Sequence, residues 1–238
     1  MSSPAFNEKY LEKIKEQSAS SAMAGEGTMT LRGSINKSII LFFTMLIPAG
    51  LIWWKLGGDP VAAPNLLTYL IPSAIGGFIL SLIISFAPKT SPYLAPLYAA
   101  VEGIVIGIVS MVFEASISGI VLQAVGLTLL IVAAMLICYR TGLLRATPMF
   151  TKILMFATLG VALFYLVGWI MTLFGNHSLF AFYQGNSLLS IGLSIVIAGI
   201  AAFNLILDFD LMDNGSKMGL PKYMEWYGAF VLLVTIIW

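Results

Sequence analysis

Six stretches of this chain stay apolar for about as long as a bilayer core is thick, and that length constrains the fold more than any single residue does. They cover roughly 36–56, 66–87, 93–113, 117–138, 149–174 and 187–207. A hydrocarbon core of about 30 Å takes about 20 residues of helix to cross. Within lipid the backbone must satisfy its own hydrogen bonds, so such segments are helices. A seventh stretch, "MEWYGAFVLLVTIIW", starts near Met224 and runs for 15 residues to Trp238. At about 1.5 Å per residue it spans roughly 22 Å, short of a crossing. The native chain is therefore expected to run on beyond Trp238.

Composition agrees. The chain is 59% apolar and only 10% charged, whereas a soluble domain carries about a quarter charged residues. The lipid bilayer is thus the first partner. A net charge of +1 gives no reason to expect nucleic acid. The connections "GGDPVAAPN", "PKTSP", "EAS", "TGLLRATP", "GNHSLFAFYQGN" and "DNGSKMGLPK" leave no room for a soluble module. The expected organisation is a polar cytoplasmic amino-terminal tail over 1–34 and an all-α, polytopic seven-transmembrane-helix bundle over 35–238. In the tail, Phe6, Tyr10 and Ile14 recur four apart among Lys and Glu. That spacing fits a short amphipathic helix on the membrane surface, and a disordered tail fits as well. No cleavable signal is evident.

Lys and Arg orient the bundle. Eleven of the 12 basic residues fall in the tail and the even-numbered loops, and Lys55 alone falls on the other side. Basic residues stay cytoplasmic during insertion, which places the amino terminus inside. Gly103 with Gly107, Gly192 with Gly199, and Gly76 with Gly77 offer the small surfaces that let membrane helices approach.

The acids left inside the apolar segments carry the functional reading. Glu102 lies nine residues from Tyr93 and eleven from Phe113, near the expected midplane. A carboxylate there costs at least a few kcal/mol and should face the bundle interior or a wet cavity. Asp208, Asp210 and Asp213 cluster in "ILDFDLMDNGSK". Asp208 and Asp210 are about 200° apart on a helix, whereas Asn204 and Asp208 share a face. Asn204 and Asp208 are therefore assigned to the interior, Asp213 to solvent, and Asp210 between them. Glu114 and Glu225 read as helix-end acids, Glu225 suiting the amino terminus of the seventh helix.

Several chemistries are a poor fit. Counted from Asp208, an EF-hand would need an oxygen ligand at Met212, glycine at Asp213 and glutamate at Gly219. The single histidine, His177, lies in an outer loop, so no Ser–His pair forms inside the membrane. No His, Cys and carboxylate cluster resembles a zinc site. The lone Cys138 forms no internal disulfide and reads as a packed thiol. The seventh helix has no lysine for a retinal Schiff base. An intramembrane aspartyl protease stays as a minor option, since Asp208 with Glu102 could imitate its carboxylate dyad electrostatically. The polar stripe most resembles part of an ion path or proton relay. No enzyme activity and no cofactor are expected.

Two stretches, "APLYAAVEGIVIGIVSMVFE" and "FDLMDNGSKMGLPKYMEWYGAF", resemble the Bax inhibitor-1-like (transmembrane Bax inhibitor motif) family, most closely its bacterial branch. The resemblance runs from about residue 28 to the end. It implies a seven-helix bundle with the last helix near the centre, in a bacterial plasma membrane. The better-understood members are pH-sensitive calcium leak channels, which implies calcium or other cations as partners. Their gate pairs an aspartate of the sixth helix with one of the seventh, latched by an arginine from an early helix. Asp208 takes the sixth-helix position, with Asp210 nearby. The seventh-helix position falls near Leu233 or Val234, and helices two and three contain no arginine. Glu102 is then the remaining deep partner for Asp208, and the two are expected to face a common cavity. Charging them would draw in cations and water, and protonation would remove that attraction. The alternative is a non-conducting membrane scaffold or stress-response regulator. Oligomeric state is left open.

Overall fold

Seven helices fill the computed structural model, which describes residues 27–56, 66–175 and 188–238. They are α1 (Leu31–Leu56), α2 (Leu66–Phe86), α3 (Ser91–Ser116), α4 (Ile120–Arg140), α5 (Pro148–Leu173), α6 (Leu188–Lys217) and α7 (Met224–Ile237). A single 3-10 turn, Pro88–Thr90, joins α2 to α3. Six of the helices are long and apolar enough to cross a membrane, and α7 is the shorter one. The expected all-α polytopic bundle is what forms. The amphipathic stretch around Tyr10 and the loop histidine His177 lie outside the described residues.

Two boundaries differ from the apolar count. The chain joins the fold before residue 35, because Met29 donates its amide to the Leu220 carbonyl at 2.7 Å and α1 already starts at Leu31. Helix α6 continues ten residues past the apolar stretch, through all three aspartates. It ends in a glycine cap. Gly219 takes a left-handed φ of +65°, while the Leu220 amide reaches the Gly215 carbonyl at 3.2 Å and the Gly219 amide the Ser216 carbonyl at 3.2 Å. That pair of bonds is a Schellman motif, in which glycine avoids the Cβ cost of the left-handed turn.

Helix α7 sits at the centre. It packs against α1, α3 and α6 and belongs to both buried clusters. Ala229, Phe230 and Leu233 meet Leu41 and Met45 of α1, Ile84 of α2, and Tyr98 of α3. Leu232 meets Leu205, Phe209 and Met212 of α6. By contrast α4 has no buried residue, and α5 buries only Leu154 and Gly168. These two helices form the lipid-facing flank, where exposed Leu122, Leu130 and Phe156 are ordinary for a surface bathed in acyl chains.

The α1–α3 seam shows what glycine does here. A Cβ on Gly103 would run into the Met45 carbonyl, and one on Gly107 would lie 2.9 Å from the Ala49 Cα. No other residue allows that approach. Gly192 and Gly199 have nothing within 4 Å of such an atom, so their spacing is not used for packing.

Candidate functional site

Asp208 is the most deeply placed acid of α6. It is 6% exposed and lies among buried Leu205, Ile206, Phe209 and Met212 of its own helix. The side chain facing it from α7 is Thr235, whose hydroxyl also lies 3.2 Å from the Val231 carbonyl. The second carboxyl oxygen, Oδ2, has no hydrogen-bond partner among the described residues. An unsatisfied buried polar atom costs about 1–3 kcal/mol, and few are tolerated without a reason. Thr235 stands one to two positions beyond the Leu233 or Val234 expected opposite Asp208, since those two pack into the α1–α3 side of the core.

Glu102 is elsewhere. It is half-buried, and its carboxyl lies against Gly77 of α2, 2.8 Å from where a Cβ would sit. Tyr98 lies one turn earlier on α3. Asp208 faces α7 and Glu102 faces α2, so the structure does not bring them together. The expectation of one shared cavity is corrected accordingly, and a carboxylate dyad is excluded with it. The physical reason is that α7, not open space, fills the middle of the bundle.

Asn204 also turns away from Asp208. Its amide donates to the Thr158 hydroxyl of α5 at 2.9 Å and to the Ile200 carbonyl at 2.9 Å, tying the peripheral α5 to α6. Residues four apart are offset by about 40° on a helix, enough to give these two side chains different neighbouring helices. Asp210 and Asp213 share a second face. The Tyr139 hydroxyl of α4 lies 3.3 Å from Asp210 Oδ1 and 3.3 Å from Asp213 Oδ2. Asp213 also takes Lys217 at 2.7 Å.

Two acids read as simple helix ends do more. Glu114 folds over the α3–α4 turn, where Gly119 donates its amide to Oε1 at 2.6 Å and Val121 to Oε2 at 3.1 Å, capping α4. Glu225 is fully buried. Its Oε1 accepts the Thr30 amide at 2.9 Å, the Thr30 hydroxyl at 2.8 Å and Lys222 at 2.7 Å. Its Oε2 pairs with Lys37 of α1, whose ammonium also lies 5.5 Å from the Trp226 ring. Gly33 lies so close that a Cβ there would overlap the carboxyl. A basic residue of an early helix thus does clamp α7, but at its first turn. Lys37 and Glu225 are 188 positions apart, and neither pattern nor spacing signals their meeting.

Six helices able to span a membrane and a seventh threaded through their centre define a multi-pass membrane protein. The chain belongs to the Bax inhibitor 1 like family, whose profile matches residues 3–238, nearly its whole length. No curated protein and no solved structure matches it.

Proposed function

We propose that the protein is a pH-responsive cation channel of a bacterial plasma membrane, passing calcium among other ions, with Asp208 as the gating carboxyl. The observation that carries this reading is the unpartnered Asp208 oxygen at the α6–α7 seam, a stability cost that conduction would explain. Family membership supports it. The excess of basic residues at one end supports a cytoplasmic amino terminus. Asp210 and Asp213 lie nearer that end, on the wall of the cavity beside the seam. Glu102 has no part in this path.

On this reading, the packed α6–α7 seam is the closed state. A charged Asp208 cannot remain in so apolar a seam without water, so ionisation favours parting α7 from α6 and hydrating the space between. Protonation removes the charge and lets the seam close. Flux should therefore rise with pH.

The test is ion flux into calcium-dye-loaded vesicles carrying the purified protein, followed between about pH 5 and about pH 8. Asp208→Asn is expected to lower flux at least about tenfold, a change of about 1.4 kcal/mol, and to flatten the pH response. Glu102→Gln should leave both unchanged. Flux no greater than in protein-free vesicles would favour the scaffold or stress-regulator reading, and an unaltered Asp208→Asn would remove Asp208 from the mechanism.

A further inference from the structure

A cavity of about 900 Å³ opens between α1, α4, α6, one side of α7 and the turn that follows α4. Its volume is at the upper end of the roughly 300–1,000 Å³ usual for ligand pockets. Two kinds of lining divide it along its length. Away from the turn, Ile39 and Phe43 of α1 and Leu129 and Leu136 of α4 line it, all exposed. Helices α1 and α4 have no substantial packing with each other, so the slot between them meets the lipid sideways. Leu129 lies about 16 Å along α4 from Arg140, at about 1.5 Å per residue.

At the other end the lining turns basic. Arg140 is the last residue of α4, at the level where headgroups lie. Arg145 reaches the same mouth from the turn. Its guanidinium lies over Gly142, whose φ is +73° and where a Cβ would meet Nη2 at 3.1 Å. The left-handed glycine thus makes room for the arginine. Neither arginine has a carboxylate partner among the described residues. The acids on the facing wall are already engaged, Asp213 with Lys217 at 2.7 Å and Asp210 with the Tyr139 hydroxyl.

We propose that this cavity binds an anionic glycerophospholipid of the leaflet at the basic end, its phosphate held by Arg140 and Arg145 and one acyl chain laid between α1 and α4. The argument is charge complementarity joined to shape. Two unpaired guanidinium groups stand at headgroup depth, where arginine's fork matches phosphate, and an apolar slot runs from them toward the bilayer centre. The site goes beyond ion passage and does not depend on it.

Native mass spectrometry of the detergent-purified protein tests this directly, with phosphatidylglycerol and phosphatidylcholine of identical chains offered in equal amounts. Phosphatidylglycerol should be retained in preference. The double variant Arg140→Gln/Arg145→Gln should weaken its retention about twenty-five-fold, two basic groups at about fivefold each. Lys89→Gln/Lys152→Gln removes as much charge from exposed positions outside the cavity and should change retention less than about twofold. Leu129→Trp, which fills the slot and leaves both arginines, should also reduce retention. Equal retention of the two lipids would overturn the proposal, as would an equal loss in the lysine control. Full displacement by glycerol 3-phosphate would show a small-anion site instead of a lipid site, and an indifferent Leu129→Trp would remove the acyl chain from the slot.

Discussion

Replacing Glu225 with alanine should lower the unfolding temperature of the detergent-solubilised protein by about 10 °C. Its carboxylate accepts from the Thr30 amide, the Thr30 hydroxyl and two lysines, all while fully buried. Truncation leaves the Thr30 donors empty and strands Lys37, which is only 17% exposed. Removing one partner of a buried pair costs about 3–5 kcal/mol, and a chain of this size shifts by about 2–4 °C per kcal/mol. Glu225→Gln keeps an acceptor oxygen for Thr30 but loses both the charge and the oxygen that accepts from Lys37, so it should fall between wild type and alanine. Lys222 is 47% exposed, and Lys222→Ala should cost less than about 1 kcal/mol, as surface pairs do. Thermal unfolding of the three variants checks the order. Equal losses at Glu225 and Lys222 would show that burial does not set the strength of this clamp.

A leucine at Gly103 should be nearly as damaging. The first added carbon already meets the Met45 backbone carbonyl, which cannot swing aside as a side chain would. The α1–α3 pair is the most extensive helix contact of the bundle, so the two helices must separate along their length. Overpacking of this kind costs about 1–3 kcal/mol, and more where backbone is struck. Gly192→Leu is the internal control. Nothing lies within 4 Å of its Cβ position, and the change should stay within about 0.5 kcal/mol. Thermal unfolding again decides. Similar losses at both sites would mean that close backbone approach is not what distinguishes these glycines.

Those two glycine positions illustrate how far the sequence could be read. Segment length and polarity located the seven helices of the described residues to within a few residues at most ends, because the bilayer imposes both. Small-residue spacing alone did not distinguish Gly103, against backbone, from Gly192, against nothing. That depends on which face each helix turns inward. The end of α6 was legible in a different pattern. Leu205, Asp208, Phe209, Met212 and Gly215 are all buried and recur at three- and four-residue steps, so helix periodicity persists where the apolar count stops. Asp208 was legible as an interior acid from the face it shares with Asn204, and it is buried, although Asn204 itself turns to Thr158 of α5. The neighbours of Asp208 were not legible. The central α7 comes between it and the Glu102 side of the bundle, and only the assembled packing shows Thr235 opposite it. The Lys37–Glu225 clamp was hidden most completely, since it joins two helix starts distant in sequence.

The central claim, that ions in water reach Asp208 through the α6–α7 seam, is tested most directly by chemical access to that position. In a Cys138→Ser background that keeps Asp208, Thr235→Cys, which faces Asp208 across the seam, would be offered a small, membrane-impermeant thiol reagent in vesicles. The thiol should react faster with the reagent on the cytoplasmic side and more slowly once Asp208→Asn is added, whereas Ile206→Cys, from a position with no exposure on α6, should stay unmodified. A thiol at 235 as unreactive as the one at 206, under every ionic condition, would contradict a wet path through this seam.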